Sequence, residues 1–399
     1  MSSSRPYKIP IVDLGAQYAK LRAEIGQAID EVLESQQFIL GPAVTRFEEQ
    51  MAAYLGCGFA VGVASGSDAL LLALMALEIK PGDGVIVTPF TFLSTVSAIT
   101  RLGATPLFVD IDAENYLLSA KGVEAFLDRR RRIENGKTAD GETGLRITAL
   151  IPVHLFGQCY AMAEFVSLAE KYHLRIVEDV AQACGARTTI AGQTKFAGAI
   201  GALGCFSFFP SKTLGGFGDG GLVTTDDKEL AEKLRMLRMH GENTKYYHQV
   251  TGINSRLDSL QAAVLLVKQR YLEEWCEQRI QRAQLYHRLF MESGLVGDKV
   301  LRIPGTTTAR SHVFNNYVIS ARLRNELKKF LGEGGIQSEV YYPVPLHLQP
   351  CFAGLGYKNG DFPQAELAAT QVLALPLYPE LTPAQQQTVV QTIQQFYGG

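Results

Sequence analysis

Short apolar runs alternate with stretches of helical periodicity over the first 225 residues of the chain. The runs are almost continuously apolar rather than alternating with polar positions, which is typical of strands buried on both faces. Segments such as SDALLLALMALEI and STVSAITRLG, between the runs, have the pattern of helices. Strands that alternate with helices predict an α/β fold with a mostly parallel sheet between helical layers. The seven predicted strands are 59–64, 84–89, 105–112, 147–154, 174–180, 205–209 and 221–225.

The pattern changes after the last of these strands. Two long helical and charged segments come first, and a shorter mixed region with two strands and a closing helix follows. The closing helix is expected to begin after Thr382, a good N-cap residue. The predicted helices are 227–240, 256–292 and 382–396, and the predicted strands are 312–320 and 338–345.

The chain has 399 residues, more than one hydrophobic core usually organises. We therefore predict a large α/β domain over residues 1–260 and a smaller C-terminal α+β domain over 261–399, with the boundary between 255 and 270. The first 40 or so residues are expected to pack on the small domain or on a partner subunit.

Composition and charge exclude several classes of protein. The chain is 47% hydrophobic and 20% charged, as in ordinary soluble proteins, and its net charge of -2 does not favour nucleic acid as a partner. Its apolar stretches are shorter than the roughly 18 to 20 residues that span a bilayer. The N-terminus lacks the apolar region of a secretory signal, and six scattered cysteines show no metal-ligand spacing. We expect a cytoplasmic protein with reduced thiols, no metal and no membrane association.

The basic run DRRRRIENGKTADGETG at 128–144 lies between two periodic segments and is followed by polar residues and glycines. We interpret it as an exposed loop whose charges are solvated, and not as a binding patch.

Candidate chemistry is concentrated after the predicted strands, where open parallel sheets bind their ligands. Ser65, Gly66 and Ser67 follow the first strand, and such residues at the start of a helix form phosphate cradles, although they are also ordinary N-caps. Asp179 ends a strand and needs a cation or proton donor if buried. A helix cap or a salt bridge would equally satisfy it.

Lys212 is the only basic residue in the apolar, glycine-rich stretch SFFPSKTLGGFGDGG. Most lysines in loops are solvated charges. In an apolar pocket, however, burial lowers the pKa of lysine and yields the neutral amine that attacks carbonyls. A phosphate cradle, a buried aspartate and such a lysine together suit pyridoxal 5'-phosphate, which carries a phosphate, a basic ring nitrogen and an aldehyde.

In this interpretation, Asp179 keeps the ring nitrogen protonated and Lys212 forms the Schiff base with the aldehyde. Ser207 binds the phosphate together with Gly66 and Ser67.

The chain also resembles the DegT/StrS-type sugar-nucleotide aminotransferases, a branch of the fold-type-I pyridoxal-phosphate enzymes. The resemblance runs through nearly the whole chain, and the order of its motifs makes it specific. The motifs include FILGPAVTRFEEQMAAYLG, VASGSDALLLAL, TPFTFLSTVSAI, PLFVDID, IPVHLFGQ, VEDVAQACGA, FSFFPSKTLGGFGDGG, GINSRLDSLQAAVL and YYPVPLHLQ.

The resemblance implies further roles. Gln182 matches a residue near the ring hydroxyl, and Phe92 matches the aromatic residue that stacks on the ring, with Phe90 as a rival. Asn254 matches an asparagine that reaches the phosphate of the neighbouring subunit, which implies a homodimer with a shared active site. Arg256, Tyr342 and His347 are candidates for the wall that holds the sugar nucleotide.

The implied reaction moves an amino group from L-glutamate to a keto-sugar nucleotide, at C3 or C4, and the YYPVPLHLQ region is closer to members that act at C3. Alternatives are a sugar dehydratase, although dehydratase relatives replace the lysine by histidine, and another pyridoxal-phosphate lyase. An amino-acid aminotransferase would normally place an arginine in the C-terminal domain for the substrate carboxylate, and HVFNNYVIS and EVYYPVPLHLQ contain none. A further alternative is a regulator that binds the cofactor without catalysing a reaction.

Overall fold

The computed structural model describes residues 7–134, 137–297, 300–305 and 310–398. Its helices are α1 (Leu14–Ser35), α2 (Pro42–Leu55), α3 (Gly66–Ala76), α4 (Leu93–Arg101), α5 (Ala120–Arg130), α6 (Met162–Tyr172), α7 (Lys228–Leu237), α8 (Ser259–Gln269), α9 (Leu272–Ser293), α10 (Arg324–Glu333), α11 (Pro363–Gln371) and α12 (Pro383–Gly398).

The strands are β1 (Phe59–Val63), β2 (Asp83–Val87), β3 (Thr105–Phe108), β4 (Arg131–Glu134), β5 (Lys137–Asp140), β6 (Arg146–Leu150), β7 (Arg175–Asp179), β8 (Arg187–Ile190), β9 (Gln193–Phe196), β10 (Leu203–Ser207), β11 (Gly221–Thr225), β12 (Glu242–Thr244), β13 (Tyr247–His248), β14 (Leu301–Arg302), β15 (Tyr317–Ala321) and β16 (Val372–Leu375). Short 3-10 helices lie at Leu155–Gly157, Leu346–Leu348 and Pro350–Leu355.

The seven predicted strands form the main path of a nine-stranded central sheet, in the order β1-β11-β10-β7-β6-β2-β3, and β4 and β5 are added beside β6. Strands β10, β7, β6, β2 and β3 are parallel to one another. Strand β11 is antiparallel to both of its neighbours, β10 and β1. The predicted mostly parallel sheet between helices is therefore confirmed, and its carboxyl ends gather the loops that carry the candidate residues.

Helix α3 is apolar on nearly every side, which is the pattern of a helix enclosed by its neighbours. Seven of its eleven residues are buried, and it packs against β10, β11, α4 and α7. The Ser65 hydroxyl caps its first turn by accepting a hydrogen bond of 3.1 Å from the Asp68 amide. This cap fixes Gly66 and Ser67 at the carboxyl end of β1.

The interpretation of residues 128–144 as an exposed loop is wrong. Helix α5 continues to Arg130, and β4 and β5 form an antiparallel hairpin that joins β6 through the pair Ala139 and Arg146. Asp140 is fully buried and accepts hydrogen bonds from Arg130 Nε at 3.0 Å and Nη2 at 2.8 Å. One arginine of the basic run thus pairs with a carboxylate that follows it by ten residues. Residues 135–136 lie outside the described residues.

The C-terminal part departs from its predicted elements in two places. The expected helix over 256–292 is divided into α8 and α9. The expected strand over 338–345 is wrong, because only Glu339 pairs, in an isolated bridge with Ala374. Two prolines in this segment, Pro343 and Pro345, have no N–H to donate to a sheet.

The other predictions for this part hold better. Strand β15 lies within and just beyond the predicted 312–320 and pairs antiparallel with β14 and β16. Helix α12 begins after Thr382, whose hydroxyl accepts a hydrogen bond of 3.2 Å from the Gln385 amide.

The N-terminal segment contacts two parts of the chain. Ile9 pairs with Ile336 and is buried in the core of the C-terminal part, whereas Leu21 and Ile25 of α1 pack on α8. The core of the C-terminal part includes α9 from Ala283 onward, whereas Leu272 and Cys276 of α9 belong to the core around the central sheet. Helix α9 therefore contributes to both cores, and the domain boundary between 255 and 270 stays a prediction.

Within the described ranges, no helix combines the length and the apolar character that crossing a bilayer requires.

Candidate active site

A cavity of about 480 Å³ lies at the carboxyl ends of β1, β2, β6, β7 and β10. Its walls come from both the sheet loops and the C-terminal part of the chain. Nine of the residues singled out in the sequence line it, namely Ser65, Gly66, Ser67, Phe92, Asp179, Gln182, Ser207, Lys212 and Tyr342.

Asp179, the last residue of β7, is buried in the floor of this cavity. Its Oδ2 accepts a hydrogen bond of 2.8 Å from the Thr95 hydroxyl, and its Oδ1 accepts one of 3.1 Å from the Ala181 amide. Burial raises the pKa of Asp179, although these two hydrogen bonds and the charge of Lys212 oppose the rise. A cationic group placed against this carboxylate would therefore be strongly stabilised.

Lys212 lies in the loop that joins β10 to β11, where its backbone amide donates to Phe209 O at 2.9 Å. Burial lowers the pKa of the Lys212 amine, and the nearby charge of Asp179 only partly opposes this. Within the described residues, no hydrogen bond or ion pair holds its Nζ. The side chain is thus an amine biased toward its neutral, nucleophilic form.

The start of α3 forms a narrow recess beside the end of β10. A Cβ atom on Gly66 would lie 2.6 Å from Ser207 Cβ, so only glycine allows this approach. The hydroxyl of Ser67, in the first turn of α3, is 2.6 Å from that of Ser94, in the first turn of α4. Exposed amides and hydroxyls at a helix N-terminus suit a phosphate group.

Gln182 and Tyr342 meet at another wall of the cavity. Gln182 accepts a hydrogen bond of 2.6 Å from the Phe156 amide and donates one of 3.4 Å to the Tyr342 hydroxyl. The ring of Phe92 is 6.1 Å from that of Tyr342 and is largely exposed to the cavity side. Phe90, the rival to Phe92, is fully buried and does not line the cavity.

Three predicted residues lie outside the cavity of this chain. His347 is buried, and its Nε2 is 3.0 Å from Glu366 Oε1, so its contact with substrate stays a prediction. Arg256 lies with Nη1 3.9 Å from Met239 Sδ. Asn254 is exposed and pairs with Met239 in an isolated bridge. Because the last two were expected in a cleft shared by two subunits, their roles stay predictions.

Sequence reasoning missed several residues that line the cavity. Arg279 on α9 is the most notable because it is a buried cation. Thr95 could have been found, since it lies one helical turn after Thr91 at the start of a helix that follows a strand. Arg279, in contrast, is brought to the cavity only by packing. The others are Asp219, Ser211, Asn315, Asn316 and Tyr341.

The donor set fits pyridoxal phosphate. The recess at Gly66 accommodates a phosphate, the buried carboxylate of Asp179 suits a protonated ring nitrogen, and the amine of Lys212 suits an aldehyde.

Solved structures share this architecture. The structure of S. venezuelae DesV in complex with a ketimine intermediate is 40% identical, has a TM-score of 0.88, and is matched over 98% of this chain and 99% of that chain. The structure of Bacillus subtilis NtdA with bound cofactor PMP is 27% identical, has a TM-score of 0.84, and is matched over 99% and 87%. The fold is that of the fold-type-I aminotransferases.

Curated relatives point to the same class. The pleiotropic regulatory protein of Geobacillus stearothermophilus is 46% identical over 98% of both chains. The UDP-N-acetyl-3-dehydro-alpha-D-glucosamine 3-aminotransferase of Acidithiobacillus ferrooxidans is 43% identical over 94% of both. The model of the DegT/DnrJ/EryC1/StrS aminotransferase family matches residues 19–394, and the chain belongs to this family.

Proposed function

We propose that this protein is a pyridoxal-phosphate-dependent aminotransferase that moves an amino group from L-glutamate to the C3 ketone of a sugar nucleotide. The observation that carries the proposal is that Lys212 and Asp179 line one cavity. Burial lowers the pKa of Lys212, which favours its neutral amine. Burial raises the pKa of Asp179, so this carboxylate needs a cationic partner, such as a protonated ring nitrogen, to stay ionised. The relative named as a 3-aminotransferase supports C3 over C4.

Each residue has a defined part in this reaction. When bound, pyridoxal phosphate supplies an aldehyde that links to amines and a ring that accepts an electron pair. Asp179 holds the proton on the ring nitrogen, and Ser67, Ser207 and the amides of α3 bind the phosphate. The Nζ of Lys212 takes a proton from the donor carbon and later delivers one to the acceptor carbon, because its neutral form is favoured by burial.

The test loads the purified protein with the pyridoxamine form of the cofactor and offers 3-keto and 4-keto sugar nucleotides in parallel. The visible absorption of the pyridoxal form should return with a 3-keto substrate. The variant Lys212→Ala should bind the cofactor but react about 10³-fold more slowly, since it lacks the proton carrier. Lys228→Ala, on the exposed start of α7, is the matched control and should react normally.

Three outcomes would contradict parts of the proposal. A response only to 4-keto substrates overturns C3, a Lys212→Ala variant with the wild-type rate overturns the mechanism, and no response to any ketone or amino donor overturns the enzyme. The last result would favour a regulator that binds the cofactor without turnover. This alternative is retained because the 46% identical relative is named a pleiotropic regulatory protein.

A further inference from the structure

Arg279 brings a buried positive charge to the wall of the cavity. It lies in the middle of α9, is 4% exposed, and lines the cavity together with Asn315 and Leu377. Its Nη1 donates to Leu377 O at 3.0 Å and to Phe314 O at 3.2 Å, with Asn315 O at 3.4 Å. These backbone carbonyls orient the guanidinium group.

No carboxylate neutralises this charge at close range. Among the described residues, none of the ion pairs within 4.0 Å includes Arg279, although Glu380 is near enough to act on it electrostatically. Its Nε is buried and has no hydrogen-bond partner there. Burial lowers the pKa of Arg279 to about 10, so the group is still charged at neutral pH. A buried cation that donates to backbone carbonyls and has no ion pair among the described residues favours an anionic ligand.

The two substrates of the proposed reaction differ in the charge that they bring near the reacting carbon. An amino-acid donor carries a carboxylate on the carbon that loses its proton, whereas a keto-sugar has neutral carbon neighbours there. A short chain of contacts also joins Arg279 to the residue next to Lys212. Arg279 binds the carbonyl of Asn315, whose side-chain oxygen is 3.5 Å from the hydroxyl of Thr213, the residue after Lys212.

We propose that Arg279 binds the α-carboxylate of the amino donor in the first half-reaction and makes no essential contact with the keto-sugar in the second. This inference rests on the proposed function, because both substrates must then use the same cavity in turn. The arginine that the two C-terminal segments HVFNNYVIS and EVYYPVPLHLQ lack is supplied instead by α9.

The experiment compares donors with and without the α-carboxylate. In single-turnover reactions of the pyridoxal form, L-glutamate is compared with 4-aminobutyrate, which is glutamate without that carboxylate. Arg279→Met should lose about 100-fold in rate with L-glutamate and far less with 4-aminobutyrate. The second half-reaction, from the pyridoxamine form to a 3-keto sugar nucleotide, should change by less than about threefold.

A matched control separates binding from packing. Arg324 is also buried and donates to backbone carbonyls, Val372 O at 2.8 Å and Ala369 O at 3.0 Å, but it does not line the cavity. Arg324→Met should lower stability without changing the preference for L-glutamate. A second readout is binding of glutarate to the cofactor-free protein by calorimetry, which Arg279→Met should weaken by about 100-fold and Arg324→Met should leave unchanged.

Arg279→Lys covers the case in which Arg279→Met does not fold. It retains the charge but not the planar fork, so the preference for L-glutamate should fall by about 10-fold only. If Arg279→Met, or Arg279→Lys in its place, keeps the full wild-type preference, the inference is overturned. If the wild-type protein does not react with L-glutamate at all, the proposed function itself has failed.

Discussion

The contact between Gly66 and Ser207 sets the size of the phosphate recess. A Cβ at position 66 would lie 3.1 Å from the Ser207 Cα as well as 2.6 Å from its Cβ, so the two segments cannot separate without moving β10 or α3. Both elements belong to the large core, where close packing resists such shifts.

Gly66→Ala should therefore weaken the binding of pyridoxal phosphate by at least about 10-fold, because the new methyl group occupies the recess. Titration of the cofactor-free protein, followed by absorbance, measures the dissociation constant. Gly26→Ala is the matched control, since nothing lies within 4 Å of the Cβ position in the middle of α1. The control should raise the unfolding free energy by about 0.5–1 kcal/mol and leave affinity unchanged. Equal affinity in Gly66→Ala would show that the phosphate binds elsewhere.

Whether a site residue could be predicted depended on whether its signal was local. Lys212 and Asp179 stand out because Asp179 ends a buried apolar strand and Lys212 lies in the apolar, glycine-rich loop after another strand, where a charge is unusual. Arg279 lies in the charged, amphipathic sequence EQRIQRAQ of a long helix, where most arginines are solvated. Its carbonyl partners are 35 to 98 residues away in the chain, so only packing reveals it.

Helix α8 holds the loop that carries Lys212. Lys268, near its end, is 2% exposed and its Nζ donates to the carbonyl of Gly215, three residues after Lys212. The same Nζ lies 5.5 Å from the ring centroid of Phe217. Burial lowers the pKa of Lys268 to about 8. Lys268 therefore ties the end of α8 to the backbone of the loop that carries Lys212.

Lys268 should make stability depend on pH in a defined window. Between its folded pKa of about 8 and its ordinary value of 10.5, the unfolded chain binds more protons than the folded chain, so this group makes the unfolding free energy rise with pH. As pH increases from 7 to 10, the unfolding free energy of the wild type should therefore rise relative to that of Lys268→Met. Urea unfolding at each pH measures this difference.

Lys228→Met, at an exposed position, provides the baseline and should show a difference from wild type that is nearly independent of pH. Parallel curves for Lys268→Met and wild type would mean that Lys268 is not desolvated.

Two elements of the chain escaped prediction for physical reasons. The hairpin β4–β5 has a polar sequence, and its Asp140 is buried in a pair with Arg130 that no hydrophobic pattern indicates. The segment 338–345 has the aromatic and β-branched residues of a strand, but its prolines remove the donors that a sheet needs.

Several large apolar side chains are exposed on the surface of the single chain. Phe209 and Phe217 flank the loop of Lys212, and Tyr246 and Tyr247 belong to the region of the β12–β13 hairpin, with Tyr246 79% exposed. Exposed apolar groups in such number are typical of an interface. They support the proposal of a homodimer, in which Asn254 would reach the phosphate of the neighbouring site.

Mixed dimers test the shared site directly. Asn254→Ala alone should weaken cofactor binding, and Lys212→Ala alone should abolish turnover. When the two variants are co-expressed with different tags, the hybrid dimer should contain one site with Lys212 from one subunit and Asn254 from the other. This site should regain wild-type affinity and activity. If Asn254 acts within its own subunit, no hybrid site is intact and the wild-type cofactor affinity does not return.

At the scale of the whole chain, the order of strands and helices was predictable because each strand is an apolar run of its own. The way in which the C-terminal part closes the cavity was not, since it depends on contacts between Asn315, Tyr341, Leu377 and the sheet loops that are distant in sequence.

Gly221 pairs with Ser207 on one side and with Val63 on the other, and a Cβ there would lie 2.3 Å from Ser65 O. The paired residues Val63, Gly221 and Ser207 therefore position both the phosphate recess and the start of the loop that carries Lys212. An insertion at these paired positions would displace the two together. Evolution toward new sugars is consequently constrained at this end and freer at the opposite wall, where residues 315–316, 341–342 and 377 come from segments outside the central sheet. Mutant libraries designed to change the acceptor substrate should vary the residues of that wall and leave the three paired residues unchanged.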